Sequence, residues 1–132
     1  MKNYLTVAGL SGALFVALSA FAAHGLKGVL TERILSTFHT AADYQLYHSL
    51  ALFLVALLSL HFRETNTLKW SARFFVAGIL LFSGSLYTLA LTGITWLGVI
   101  TPIGGVSLIL GWLMLAVFAI KSPELQQKCA RK

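Results

Sequence analysis

Charge is what this chain has least of. Acidic residues occur four times in 132, as Glu32, Asp43, Glu64 and Glu124, and from Phe74 to Ile120 there is no Asp, Glu, Lys or Arg at all. With so few carboxylates, and no nucleophile-elbow spacing, no acid–base or nucleophile–base set supports hydrolysis. Cysteine occurs once, as Cys129, which excludes an intramolecular disulfide and a paired-thiol metal site. Proline occurs twice: Pro102 falls at the head of an apolar run and Pro123 just beyond the end of it. Ten Lys and Arg give a formal charge of +6. These bases lie outside the apolar runs and form no basic patch interleaved with aromatics, so no nucleic acid is expected as a partner.

What is present is hydrocarbon. The chain is 58% hydrophobic and 11% charged, with a mean hydropathy of +0.82, which describes a single integral membrane domain over residues 1–132 with the lipid bilayer as its first partner. One helical crossing takes roughly 20 apolar residues. The uncharged run 74–120 is therefore two crossings joined by an uncharged turn. The expected architecture is an all-α four-helix bundle with transmembrane helices at about 4–23, 44–61, 74–91 and 103–120 and a basic tail at 121–132.

The first run, Tyr4 to Ala23, is longer than the core of a secretory signal and reads as a membrane helix. Its small residues recur at helical spacing, Ala8 with Gly12 and Gly9 with Ala13 and Ala17, as in packed membrane helices. From Lys27 to Ala42, Leu30, Ile34 and Phe38 recur every fourth residue between polar ones, which predicts a short amphipathic connector at the interface, capped by Thr31 with Glu32 in its first turn. Asp43 either caps the second membrane helix or lies inside a longer, continuous one. Residues 62–72 read as a hydrated loop. Pro102 suits a first helical turn, which does not use its missing N–H.

Counting bases sets the orientation. With both termini cytoplasmic, the inner side holds Lys2, Arg63, Lys69, Arg73, Lys121, Lys128, Arg131 and Lys132, against Lys27 and Arg33 outside. This bias is the positive-inside signature, and Trp70 and Trp96 fall where aromatic belts belong. In a bacterium this describes the inner, or plasma, membrane, with the connector on the periplasmic side.

With the helices so directed, polar residues gather toward the outer end: His24, Tyr44, Gln45, His48, Ser85, Tyr87 and Thr101. They form the expected ligand-binding pocket, for a small molecule or a lipid headgroup, in a non-enzymatic module. Ionisable groups inside a membrane are functional candidates by default, which singles out His48. Ser83 and Ser85 read as packing hydroxyls bonded back to their own helix. His24 and His48 would suffice for axial haem ligation but fall short of the four ligands of a structural zinc, so no metal site or cofactor is assigned. The dry runs Leu52 to Leu60 and Leu108 to Ile120 oppose a channel. Gly9, Gly12, Gly84, Gly104, Gly105 and Gly111 are the expected helix-packing positions. Their faces also suit the alternative, an interaction subunit that assembles as a homo-oligomer or joins a larger membrane complex. Ser11-Gly12-Ala13-Leu14-Phe15 also parallels Ser83-Gly84-Ser85-Leu86-Tyr87, a weak sign of an internal repeat.

The phrases Ala20-Phe21-Ala22-Ala23-His24, Tyr44-Gln45-Leu46-Tyr47-His48, Phe82-Ser83-Gly84-Ser85-Leu86-Tyr87 and Thr101-Pro102-Ile103-Gly104-Gly105, with Gly111-Trp112, together resemble the YgdD family of small bacterial inner-membrane proteins. The resemblance runs from about Leu5 to Ile120 and departs at Ser19 and Ala22, where the family's pattern suggests glycine. It implies a four-helix plasma-membrane protein without an established function, and brings no catalytic residues.

Overall fold

A computed structural model of the chain describes residues 2–62 and 65–122. Arg63, Glu64, Lys128, Cys129, Arg131, Lys132 and the tail from Pro123 onward lie outside the described residues. The fold comprises helix α1 (Lys2–Phe21), extended by a π-helical turn at Ala22–Leu26; α2 (Glu32–His61); α3 (Asn66–Thr92); and α4 (Thr101–Lys121), entered through a 3-10 turn at Thr95–Val99. Among the described residues there is no strand, only an isolated bridge between Lys27 and Leu30. All four helical stretches are long and apolar enough to cross a bilayer, and the chain is an integral membrane protein built as an all-helical bundle.

Local chemistry sets the ends. The Thr31 hydroxyl accepts from the N–H of Ile34 at 3.4 Å and Glu32 occupies the first turn of α2, where an acid complements the helix dipole. Thr65 does the same for α3 through the N–H of Leu68. Gly93 ends α3 in a left-handed conformation, φ 72°, while its N–H returns to Leu89 O, a geometry that favours glycine. Pro102 sits in the first turn of α4.

Two boundaries differ from the expected ones. The amphipathic stretch is joined to the second membrane helix without a break, so α2 runs for 30 residues, about 45 Å at 1.5 Å per residue. That exceeds the roughly 30 Å hydrocarbon core, and the polar first turns are its overhang. Asp43 thus lies inside a continuous helix, exposed. α3 likewise begins at Asn66 rather than near Phe74, because Thr65 caps it there. It is interrupted once, by a π-helical turn at Ile79–Ser83 between α-helical Asn66–Gly78 and Gly84–Thr92.

The helices meet in chain order, α1 on α2, α2 on α3, and α3 along α4. One apolar core gathers Ala8, Leu52, Val55, Leu68, Phe75, Leu108 and Phe118; a smaller one near the α1–α2 turn gathers Ala22, Leu26, Phe38 and Ala90. Phe38, the third member of the expected amphipathic stripe, is completely buried in the smaller core. Trp70 and Trp96 are exposed, and the Arg73 guanidinium lies 4.9 Å from the Trp70 ring centroid, within cation–π range.

Candidate functional site

The polar residues expected in one outer pocket are sorted by α2 into separate groups. On its α1-facing side Gln45, 2% exposed, donates from Nε2 to Ser11 O at 2.8 Å, and its Oε1 accepts the Tyr87 hydroxyl at 2.8 Å. One amide thereby ties α1, α2 and α3 together. Ser49 Oγ lies 2.7 Å from Ser11 Oγ and 2.6 Å from Gln45 O. A hydroxyl carries a single proton, so the consistent order has Ser11 donating to Ser49 and Ser49 to the Gln45 carbonyl. The Tyr87 ring meets Phe38 edge-on, centroids 4.7 Å apart.

Three residues farther along α2, His48 faces α3 and α4 instead. Its Nδ1 lies 2.7 Å from Tyr44 O. A carbonyl only accepts, so Nδ1 carries the hydrogen and Nε2 is the remaining lone pair in the neutral ring. Around it stand Tyr44, Phe75 and Trp112, with centroids 5.7, 5.9 and 6.3 Å away, and Tyr44 stacks on Phe82 at 4.4 Å. A third group joins α3 to α4: Ser85 Oγ lies 2.8 Å from Thr101 Oγ1 and 2.9 Å from Phe82 O. His24 belongs to none of these. It sits in the π-helical turn ending α1 with its side chain exposed, so the single seven-residue pocket does not form. Among the described residues no group of three or more His, Cys, Asp or Glu is placed to hold a metal ion.

The glycines also divide. A Cβ on Gly104 would collide with the Phe82 backbone, and one on Gly111 would lie 2.7 Å from the Phe75 ring. Gly105 is in ordinary contact with the Phe82 ring. Gly78, which the sequence reading did not single out, approaches Leu108 equally closely. Around Gly9, Gly12 and Gly84 there is open space, so within this chain these three do not serve close helix packing. The reason is geometric: among the described residues α1 packs chiefly on α2 and much of its surface stays exposed, while Gly84 faces the space between α1 and α3.

That open space includes the feature least visible beforehand. α1 and α3 stand apart over α2, leaving a groove of about 300 Å³. Its walls are Val7, Leu10 and Leu14 of α1 and Val76, Ile79 and Leu80 of α3; Ser11, Gln45, Ser83, Gly84 and Tyr87 complete the lining. Ser11 and Ser83, the leading serines of the two similar phrases, both belong to this lining. The polar groups of Ser11, Gln45 and Tyr87 satisfy one another. Ser83 does not: it is 1% exposed and its hydroxyl, alone among the buried side-chain polar atoms of the described residues, has no hydrogen-bond partner.

The model of a family described as a protein of unknown function, DUF423, matches residues 18–105. Among curated proteins, the UPF0382 membrane protein of Haemophilus influenzae is 46% identical over 126 residues, covering 95% of this chain and all of its own length. The UPF0382 membrane protein YwdK of Bacillus subtilis is 42% identical over 121 residues, 92% of this chain and 98% of its own. A Staphylococcus aureus relative, UPF0382 membrane protein SAB0533, matches to the same extent. No solved structure matches the chain.

Proposed function

This chain belongs to the DUF423 family of membrane proteins of unknown function, and we propose that it is a non-enzymatic binding module of the bacterial plasma membrane that takes a lipophilic molecule sideways from the bilayer into the groove between α1 and α3. The groove itself carries the reading. Its volume of about 300 Å³ falls at the lower end of small-molecule sites, and its mouth is flanked by exposed Leu10, Leu14 and Leu80. An extended chain or a small ring system is of the size that this volume admits. The ligand is thus assigned to the bilayer interior, in place of a headgroup in an outer polar pocket. The charge bias supports an inner-membrane setting with both termini cytoplasmic.

Gly84 supplies the test. It lines the groove and a Cβ there meets nothing within 4 Å, so Gly84→Leu starts without a clash at its Cβ and carries its side chain into the groove. Native mass spectrometry of protein released from its own membranes should show one small mass per chain, lost in Gly84→Leu and retained in His48→Ala. Loss in His48→Ala alone would move the site to the aromatic cluster; no retained mass in any form would sink the proposal.

A second reading, assembly through helix faces, draws on the uncovered Gly9 and Gly12 of α1. The α4 face of Gly104, Ser107 and Gly111 offers it nothing, since that face is spent on α3: Ser107 Oγ donates to Phe74 O at 2.8 Å.

A further inference from the structure

Hydroxyls in these helices follow a habit that Ser83 breaks. Thr6, Thr37, Thr40, Ser49, Ser59, Thr88 and Thr92 each place a hydroxyl within hydrogen-bond distance of the carbonyl four residues earlier, the usual way for a helix to satisfy Ser and Thr in an apolar setting. For Ser83 that carbonyl is Ile79 O. The π-helical turn Ile79–Ser83 shifts the register, so that Ile79 O receives the N–H of Gly84 instead, and Ser83 Oγ makes no bond to it. Such turns tend to occur at functional sites.

Depth sharpens the consequence. Ser83 lies ten residues beyond Arg73 and Ser11 nine beyond Lys2, about 15 Å and about 13.5 Å along their helices at 1.5 Å per residue. With those two bases at the inner boundary of a roughly 30 Å hydrocarbon core, both serines fall near the bilayer centre. Water is scarce there, and a buried hydroxyl without a partner is costly. The other polar groups of the groove are already paired; the Ser83 hydroxyl, covered by its neighbours, is the one group with a hydrogen bond still to give, and it reaches a guest once its side chain turns toward the groove.

Building on the groove reading above, we propose that Ser83 is the recognition donor for an uncharged lipophile carrying a carbonyl oxygen that travels at the bilayer midplane, a ketone- or quinone-type carbonyl on an apolar body. Phospholipid is the wrong partner on depth: its ester carbonyls lie at the interface, a full leaflet away from Ser83.

The test uses the full chain in nanodiscs of dialkyl-ether phosphatidylcholine, which contribute no carbonyl, with 7-tridecanone as the probe and tridecane as its hydrocarbon control. Native mass spectrometry reports occupancy and the infrared ketone stretch reports hydrogen bonding. In the wild type one ketone should be held per chain, about tenfold more tightly than tridecane, with its stretch lowered. Ser83→Ala should bind both equally and lose the lowered stretch; Ser83→Thr, which keeps the hydroxyl, should restore preference and shift, guarding against a folding defect in the alanine variant. If the ketone keeps its preference and shifted stretch in Ser83→Ala, or if wild type holds tridecane as well as the ketone, the assignment of Ser83 is overturned while the groove stands. Competition by a diacyl phosphatidylcholine as effective as that of the ketone itself would also overturn it, in favour of an ester carbonyl. If neither probe is retained and Gly84→Leu changes nothing, the groove falls, and this inference with it.

Discussion

α3 meets α4 and α1 in opposite ways. Against α4 it lies so close that no methyl group fits between Gly104 and the Phe82 backbone, and two hydroxyls stitch the pair in both directions, Ser71 Oγ to Gly111 O and Ser107 Oγ to Phe74 O, each at 2.8 Å. Against α1 it leaves a groove, and the Gln45 side chain below them bonds to both helices. The difference is instructive because lipid supplies no hydrophobic drive for helix association. Where small residues let backbones touch, dispersion and serine bonds hold the pair; where bulky Leu10, Leu14 and Leu80 line the facing edges, the helices stay apart. The tight side is scaffold and the loose side has room for a guest.

The most direct way to break this contrast is to push the tight side open. Gly104→Ala sets a methyl against backbone, which cannot rotate away as a side chain could, and should cost about 1–3 kcal/mol. Gly111→Ala presses on the Phe75 ring, itself fully buried and packed edge-on against Trp112 at 5.3 Å, and should cost less because a ring can tilt. Reversible unfolding in mixed micelles, by denaturant titration, measures both; equal stability in all three proteins would mean that the close approach is not what holds α3 to α4.

Next comes the joint on the loose side. Gln45→Leu removes the amide that bonds Ser11 O and Tyr87 OH, leaving the phenol unpaired in an apolar setting and Ser11 O with its intrahelical bond alone, at about 1–2 kcal/mol. Tyr87→Phe removes one of those bonds and should cost about 0.6 kcal/mol, near the average for such pairs in membranes. The double variant should cost less than the sum of the two, since both substitutions delete the same bond. Crosslinking between cysteines placed at Leu10 and Leu80, across the groove, should slow in Gln45→Leu as α1 loses its anchor. An unchanged rate would show that apolar packing around Ala8 positions α1 without the amide.

What could be read from the sequence follows the same divide. Spans, Pro102 and the Thr31 cap are local properties: a run of apolar residues, a missing N–H, a hydroxyl three residues before a donor. Asp43 resisted reading because an exposed helix interior and an N-cap both suit an acid. The π-helical turn at Ile79–Ser83 has no proline to announce it, and without it Ser83 reads like any other back-bonded serine. Gln45 and Tyr87 could be assigned to one end of the bundle by helix direction, but their pairing, and the separation of both from His48, depend on how α2 is rotated. His24 shares that end in sequence yet projects outward from the closing turn of α1. The glycines make the point most sharply: Gly9-Leu10-Ser11-Gly12 and Gly104-Gly105-Val106-Ser107 are alike in composition, and only the position of a neighbouring helix makes one pair of edges a contact and the other a bare face.

That bare face carries the smallest expected effect. Gly12→Ala and Gly9→Ala add a methyl where nothing lies within 4 Å, so within one chain the change should be neutral or slightly stabilising, up to about 1 kcal/mol from helix propensity. If α1 also serves as a docking face for a second copy, the same methyl would stand between two backbones and weaken association while leaving the single chain unharmed. Counting subunits per particle by single-molecule photobleaching at low protein density in liposomes reads this directly. Unchanged counts in both variants leave α1 a lipid-facing wall of the groove, held by its packing on α2 and by its bonds to Gln45 and Ser49. A fall toward single subunits, with unfolding stability preserved, would give α1 two jobs, an oligomer contact on one side and the wall of the binding groove on the other.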